Sequence, residues 1–204
     1  ESNGEAASQI TVEAIAAAGT RLAAGFGGAT LYTLRHSGQL PADTCGVALI
    51  VDWLASELTG AELVTDRTNA ASLGLYDLVR DDWSDPLVEL AGLSRDWLPR
   101  IADAGETLGT VTSSAAAATG LPEGHPVGVA VGDNPAAICG SVPLGEEVVQ
   151  VNIGTGGQLA RILPAWTRVE GMETRPLPPG RMMLVGAGLA GGDAFAWVQR
   201  TAAA

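Results

Sequence analysis

The segment Val127-Gly-Val-Ala-Val-Gly-Asp133-Asn-Pro-Ala-Ala137 constrains the fold more than any other part of the chain. Val127, Val129 and Val131 alternate with small residues, and a near-continuous apolar run of this kind suits a strand buried on both faces of an α/β sheet. Pro135 fits the first position of a following helix, with Asp133 or Asn134 as its cap. A carboxylate therefore falls just past the carboxyl end of a strand, where open α/β sheets hold their ligands. Two readings of Asp133 stand side by side: a reacting group, or an ordinary helix N-cap.

A second segment follows closely, Val148-Val-Gln-Val-Asn-Ile-Gly154-Thr-Gly-Gly157-Gln-Leu-Ala-Arg161. Its glycines separate strand patterns at 148–152 and 158–163, so they form a hairpin turn rather than a strand-to-helix P-loop. Glycine lets backbone N–H groups approach an anion closely, and Thr155 adds a hydroxyl donor. Glycine-rich turns also join strands without any ligand. Following a strand-end Asp, the turn suggests a base beside a phosphate cradle, the minimum equipment for phosphoryl transfer to a hydroxyl. That reaction asks little of its base, which orients the hydroxyl and takes its proton late.

Composition removes competing chemistries. All eleven basic residues are Arg, so there is no P-loop lysine, Schiff-base lysine or lysine general base. Glycine backbone must then do most of the phosphate holding. A net charge of −12 argues against nucleic acid, whose binding depends on clustered cations. Cys45 and Cys139 are widely separated in apolar surroundings and read as buried structural thiols of a reducing compartment. His36 and His125 sit in no metal-ligand pattern, and no metal-binding protein residues are expected. At 204 residues and 47% apolar composition the chain can bury a substantial core, while its longest apolar run is interrupted by Asp52 and too short for a membrane. The polar start Glu1-Ser-Asn-Gly-Glu5 lacks a signal-peptide layout and reads as an internal beginning.

The rest of the chain reads as mixed α/β. Helices are expected over 11–18, with Thr11 as cap and Glu13 in the first turn, over 29–36, up to a stop at Gly60, over 84–92, over 113–119 and over 189–200. Strands are expected at 75–78, 108–111 and 182–185, with loops at 65–72 and 164–180. Trp53, Trp83 and Trp97 read as core.

The order strand, Gly-Asp-x-x-Ala-Ala, helix, strand, Gly-Thr-Gly resembles the FGGY family of carbohydrate kinases. Upstream, Asp52-Trp-Leu-Ala-Ser-Glu-Leu-Thr-Gly60, Thr65-Asp66, Asn69-Ala-Ala-Ser72 and Leu75-Tyr-Asp-Leu78 followed by Trp83 resemble that family's middle section in the same order. The Asn-Ala-Ala-Ser piece, Gly25-Phe-Gly-Gly-Ala-Thr30 and Leu184-Val-Gly-Ala-Gly-Leu-Ala-Gly-Gly192 are similar to the sedoheptulokinase branch. The resemblance implies an α/β, ribonuclease H-like (actin-like ATPase) fold, with the later part of a sugar-binding domain at 1–141 and the opening of a nucleotide-binding domain at 142–204. A first phosphate loop and an adenosine site would lie outside these residues, leaving this segment inactive alone.

The same resemblance implies transfer of the γ-phosphoryl of Mg²⁺-ATP to a terminal hydroxyl of a ketose. Asp133 is the implied catalytic base, and Gly154, Thr155, Gly156 and Gly157 form the implied phosphate-holding turn. Asp52, Asp66 and Asn134 are candidate sugar contacts, each with an ordinary alternative as helix-face, turn or cap residue. The family often carries Gln where Pro135 stands, so a substrate contact is not carried over to that position. The expected partners are a small-molecule sugar and ATP, with a homodimer open, neither nucleic acid nor membrane, and a cytoplasmic location. Two alternatives remain: a non-catalytic sugar-binding or regulatory module of the same fold, and an actin-like ATPase without a sugar acceptor.

Overall fold

The computed structural model describes residues 14–20, 25–143, 148–154 and 156–202. The chain is mixed α/β and divides into two compact units, Glu1–Asp133 and Asn134–Ala204. The expected cap Thr11 and first-turn Glu13 lie outside the described residues, as does Thr155. No helix among the described residues is long and apolar enough to cross a membrane.

The first unit contains α1 (Gly27–His36), α2 (Ile50–Thr59), β1 (Val64–Asp66), α3 (Arg67–Leu73), β2 (Tyr76–Asp77), β3 (Asp82–Trp83), α4 (Asp85–Leu90), β4 (Arg100–Ala102), β5 (Thr107–Thr110), α5 (Ser113–Thr119) and β6 (Pro126–Gly128). β1 runs parallel to β4, while β2–β3 and β5–β6 are antiparallel pairs. The helix over 113–119 matches its sequence signals: Thr112 Oγ1 accepts from Ala115 N at 3.2 Å, and Gly120 ends it in the left-handed region. α1 packs closely on α3, because a Cβ at Gly28 would stand 2.6 Å from the Leu73 carbonyl oxygen.

Three expectations change in this unit. The polar stretch 65–72, read as a loop, is the end of β1 and most of α3. Asp66 makes the difference: its side chain caps α3 by accepting from Asn69 N at 2.9 Å, and Thr68, Asn69, Ala70 and Leu73 are then buried. The strand expected through 127–131 stops at Gly128, is antiparallel, and is not buried on both faces. Val129 makes the last cross-strand bonds, to Glu106 O at 2.8 Å and from Gly105 N at 3.0 Å, and buries its side chain with Val64 and Ala102. The third change concerns residues read as buried. Cys45 is exposed, and Trp53 is 47% exposed on α2, whereas Trp83 is buried and donates from Nε1 to Pro99 O at 3.0 Å.

In the second unit, β7 (Val149–Ile153), β8 (Gly156–Leu163), β9 (Glu173–Leu177) and β10 (Arg181–Ala190) form an antiparallel sheet in the order β7-β8-β10-β9, followed by α7 (Gly192–Ala202). The helix α6 (Asp133–Ser141) starts at the division between the units. Its Ile138 is 1% exposed and packs with Ala160, Leu177, Met183 and Val185, and Cys139 and Val142 flank this core. That packing puts α6 with the sheet in the second compact unit. The stretch 164–180 is not all loop. Pro176 lies in β9, at the sheet edge opposite Met182, where a missing N–H costs no ladder bond. β10 extends through Ala190, so α7 begins three residues later than its expected start at Leu189.

Candidate active site

In the first unit two of the candidate residues belong to a buried polar cluster. Asp52 on α2 and Asp66 at the end of β1 are each 1% exposed, and Thr68 and Asn69 on α3 are buried beside them. Asp66 Oδ1 accepts from Asn69 N at 2.9 Å and from Thr68 Oγ1 at 2.8 Å. Asn69 Nδ2 donates to Asp52 Oδ1 at 3.4 Å, so one residue joins the two carboxylates, through its backbone N–H on one side and its side-chain amide on the other. Asp52 Oδ2 has no hydrogen-bond partner among the described residues. Burial pushes the Asp52 carboxyl up to about 6, the Thr65 hydroxyl and the Asn69 amide pull it down, and the neighbouring Asp66 charge adds to the rise. Burial also raises Asp66, against the bonds from Asn69 and Thr68 and the Arg67 charge.

The cluster reaches the residue before Asp133. Thr68 Oγ1 accepts from Gly132 N at 2.8 Å, a bond between positions 64 apart in sequence. Asp133 itself is exposed and opens α6. The N-terminal end of α3 is fixed from outside by Arg67, which pairs with Asp81 at 2.7 Å and with Asp103.

In the second unit the glycine turn is backbone laid on backbone. Gly154 N donates to Gly156 O at 2.9 Å, and Gly192 N donates to Gly154 O at 2.7 Å. A Cβ at Gly191 would stand 2.5 Å from the Gly156 carbonyl carbon, so Gly191 must lack a side chain for the turn to sit where it does. Gly154 and Gly156 differ. Both are exposed, neither has a left-handed backbone, and an added Cβ would meet nothing closer than 3.9 Å and 3.7 Å respectively. The packing of this unit therefore does not require glycine at either position. Asn134 is tied to this turn: its Nδ2 donates at 3.2 Å to Oε1 of Gln158, the residue after Gly157.

Of the residues singled out in the sequence, Asp52 and Asp66 are thus brought together inside the first unit, and Asn134 lies by the glycine turn in the second. Thr68, Gln158 and Gly191 were missed. Thr68 carried a faint signal, a hydroxyl two residues after an Asp, a spacing at which side chains bond locally. Among the described residues no group of three or more His, Cys, Asp or Glu stands in position to hold a metal ion.

Comparison with known proteins agrees with this architecture. An autoinducer-2 kinase of Enterobacter sp. is 39% identical over 103 residues, covering 50% of this chain and 19% of that protein. The xylulose kinase of Rhodospirillum rubrum superposes with a TM-score of 0.81 at 26% identity, covering 96% of this chain and 41% of that one. The gluconate kinase of Lactobacillus acidophilus gives a TM-score of 0.82 at 20% identity, over 97% of this chain and 40% of that one, and shares the fold. The chain therefore spans about two fifths of the length of such solved kinases, and its fold is the ribonuclease H-like, actin-like one. None of the three is named a sedoheptulokinase. The family model of the FGGY carbohydrate kinases' N-terminal domain matches residues 19–140, and the chain belongs to that family.

Proposed function

We infer that this chain is the central part of a kinase that phosphorylates a hydroxyl of a sugar. The acceptor oxygen attacks the γ-phosphorus of ATP, a new O–P bond forms as the bond to the ADP oxygen breaks, and Asp133 takes the hydroxyl proton. Gly154, Thr155, Gly156 and Gly157 form the turn that would hold phosphate oxygens, with the Gly154 N–H bonded within it to Gly156 O, and Mg²⁺ bound to the ATP phosphates would offset their charge. Asn134 contacts the sugar or steadies the turn beside it. Asp52 and Asp66, at 1% exposure each, act through the cluster rather than by touching the sugar. Residues 1–141 belong to the sugar-binding domain and 142–204 to the nucleotide-binding domain, in a cytoplasmic enzyme supplied with ATP.

The observation that carries this reading is the bond from Asn134 to Gln158. It fastens the residue after the proposed base to the residue after the proposed phosphate turn. The acceptor is a ketose or a related open-chain carbonyl compound, and sedoheptulose, xylulose and autoinducer-2 are the first to try. The test is ATP consumption by the full-length protein with Mg²⁺ and a panel of ketoses, polyols and autoinducer-2. Stimulation by one class of acceptor is expected. ATP consumption indifferent to every acceptor, or acceptor binding without ATP consumption, would overturn the reading.

A further inference from the structure

The last cross-strand bonds before Asp133 are made by Val129, and the chain then leaves the ladder for the four positions to the base. One side chain holds the end of that stretch. Thr68 Oγ1 sits 2.8 Å from Gly132 N and 2.8 Å from Asp66 Oδ1. The direction of both bonds is fixed by chemistry, because the Gly132 N–H can only donate and the Asp66 carboxylate can only accept. The single hydroxyl proton is therefore committed to Asp66, and a lone pair is left for Gly132. Thr68 is 5% exposed and Asp66 1%, so the bond between them is buried away from water. Asp66 is in turn immobilised by the N–H of Asn69, whose side chain is tied to Asp52 on α2.

We propose that Thr68, oriented by Asp66, is a positioning residue for the base: the relay Asp66–Thr68–Gly132 sets the backbone from which Asp133 projects. This rests on the assignment of Asp133 as base in the proposed kinase. Phosphoryl transfer depends on placement more than on covalent help from the protein, and displacement of a reacting group by about 1 Å can cost on the order of 100-fold in rate. Loss of the hydroxyl leaves the Gly132 N–H without its acceptor and Asp66 short of one donor, so the stretch before Asp133 relaxes. The hydroxyl group matters here rather than the side-chain shape, which is why valine and serine separate the two contributions.

The test compares full-length wild type, Thr68→Val and Thr68→Ser in steady-state kinetics and in amide hydrogen exchange at Gly132. T68V is expected to lower kcat by about 10–100-fold, to leave KM for ATP within about twofold, and to speed exchange at Gly132. T68S is expected to restore both. Wild-type kcat in T68V, a loss that serine does not recover, or unchanged exchange at Gly132 in T68V would each overturn the proposal. If T68V does not fold, Thr68→Ala takes its place with the same expected and contradicting results. A wild type that phosphorylates no acceptor would defeat the kinase assignment instead, and exchange at Gly132 would still decide whether the relay holds the backbone.

Discussion

Replacing Asp52 by Asn tests the buried cluster through its dependence on pH. The Asp52 carboxyl is 1% exposed, one of its oxygens has no partner among the described residues, and burial pushes it from the ordinary 3.8 to about 6. A carboxyl with a raised folded-state value holds its proton more tightly in the fold than in the unfolded chain, so stability falls as pH rises through the window between those two values. The distance from 3.8 to about 6, at about 1.4 kcal/mol for each tenfold change in proton affinity, sets the full penalty on the charged form at about 3 kcal/mol. Linkage gives about 0.6 kcal/mol of that at pH 4, about 1.6 at pH 5 and nearly all of it at pH 8. Asparagine has nearly the same shape and stays neutral, and it also removes the repulsion between Asp52 and Asp66. D52N should therefore gain about 2 kcal/mol or more relative to wild type between pH 4 and pH 8. Urea unfolding of the full-length protein and the variant, followed by tryptophan fluorescence across that range, measures the difference. A difference that is flat from pH 5 to 8, or a variant that loses ground as pH rises, would refute the reasoning.

Other substitutions probe the second unit. Gly191→Ala would put a Cβ 2.5 Å from the backbone of Gly156 and 2.8 Å from the Gly154 carbonyl oxygen, so the turn must shift; overpacking of this kind costs about 1–3 kcal/mol, and KM for ATP should rise while an unchanged KM would contradict the role given to the turn. Ile138→Ala empties a position that is 1% exposed in the sheet core and should destabilise by about 2–5 kcal/mol in urea unfolding; a loss below about 1 kcal/mol would mean that α6 does not depend on that core.

Some of this was readable in the residues and some was not, for physical reasons. The helix at Ser113–Thr119 and the hairpin around Gly154 were legible because capping, a terminal glycine and alternating patterns all act within a few residues. α3 was not, because its sequence Arg-Thr-Asn-Ala-Ala-Ser-Leu is small and polar. Its helix depends on the Asp66 cap and on burial against other elements, so tertiary packing overrode composition. The run 127–131 misled for the opposite reason: valines signal burial, which Val129 confirms, but not which partner strand or direction supplies it. Pro176 suggested a loop because the edge position that excuses it is a property of the sheet order. At the site, Asp133, Asn134 and the glycines stood out as residue types near one another in sequence. The Thr68–Gly132 bond spans 64 positions, and no local pattern announces such a contact.

The central claim is that Asp133 is the base of a sugar kinase. Asp133→Asn in the full-length protein, assayed with Mg²⁺-ATP and the best acceptor of the panel, tests it most directly. In D133N, kcat should fall by about 100- to 10,000-fold while the dissociation constant for ATP stays within about twofold. Phosphorylation of the acceptor at near wild-type rate in D133N would contradict it.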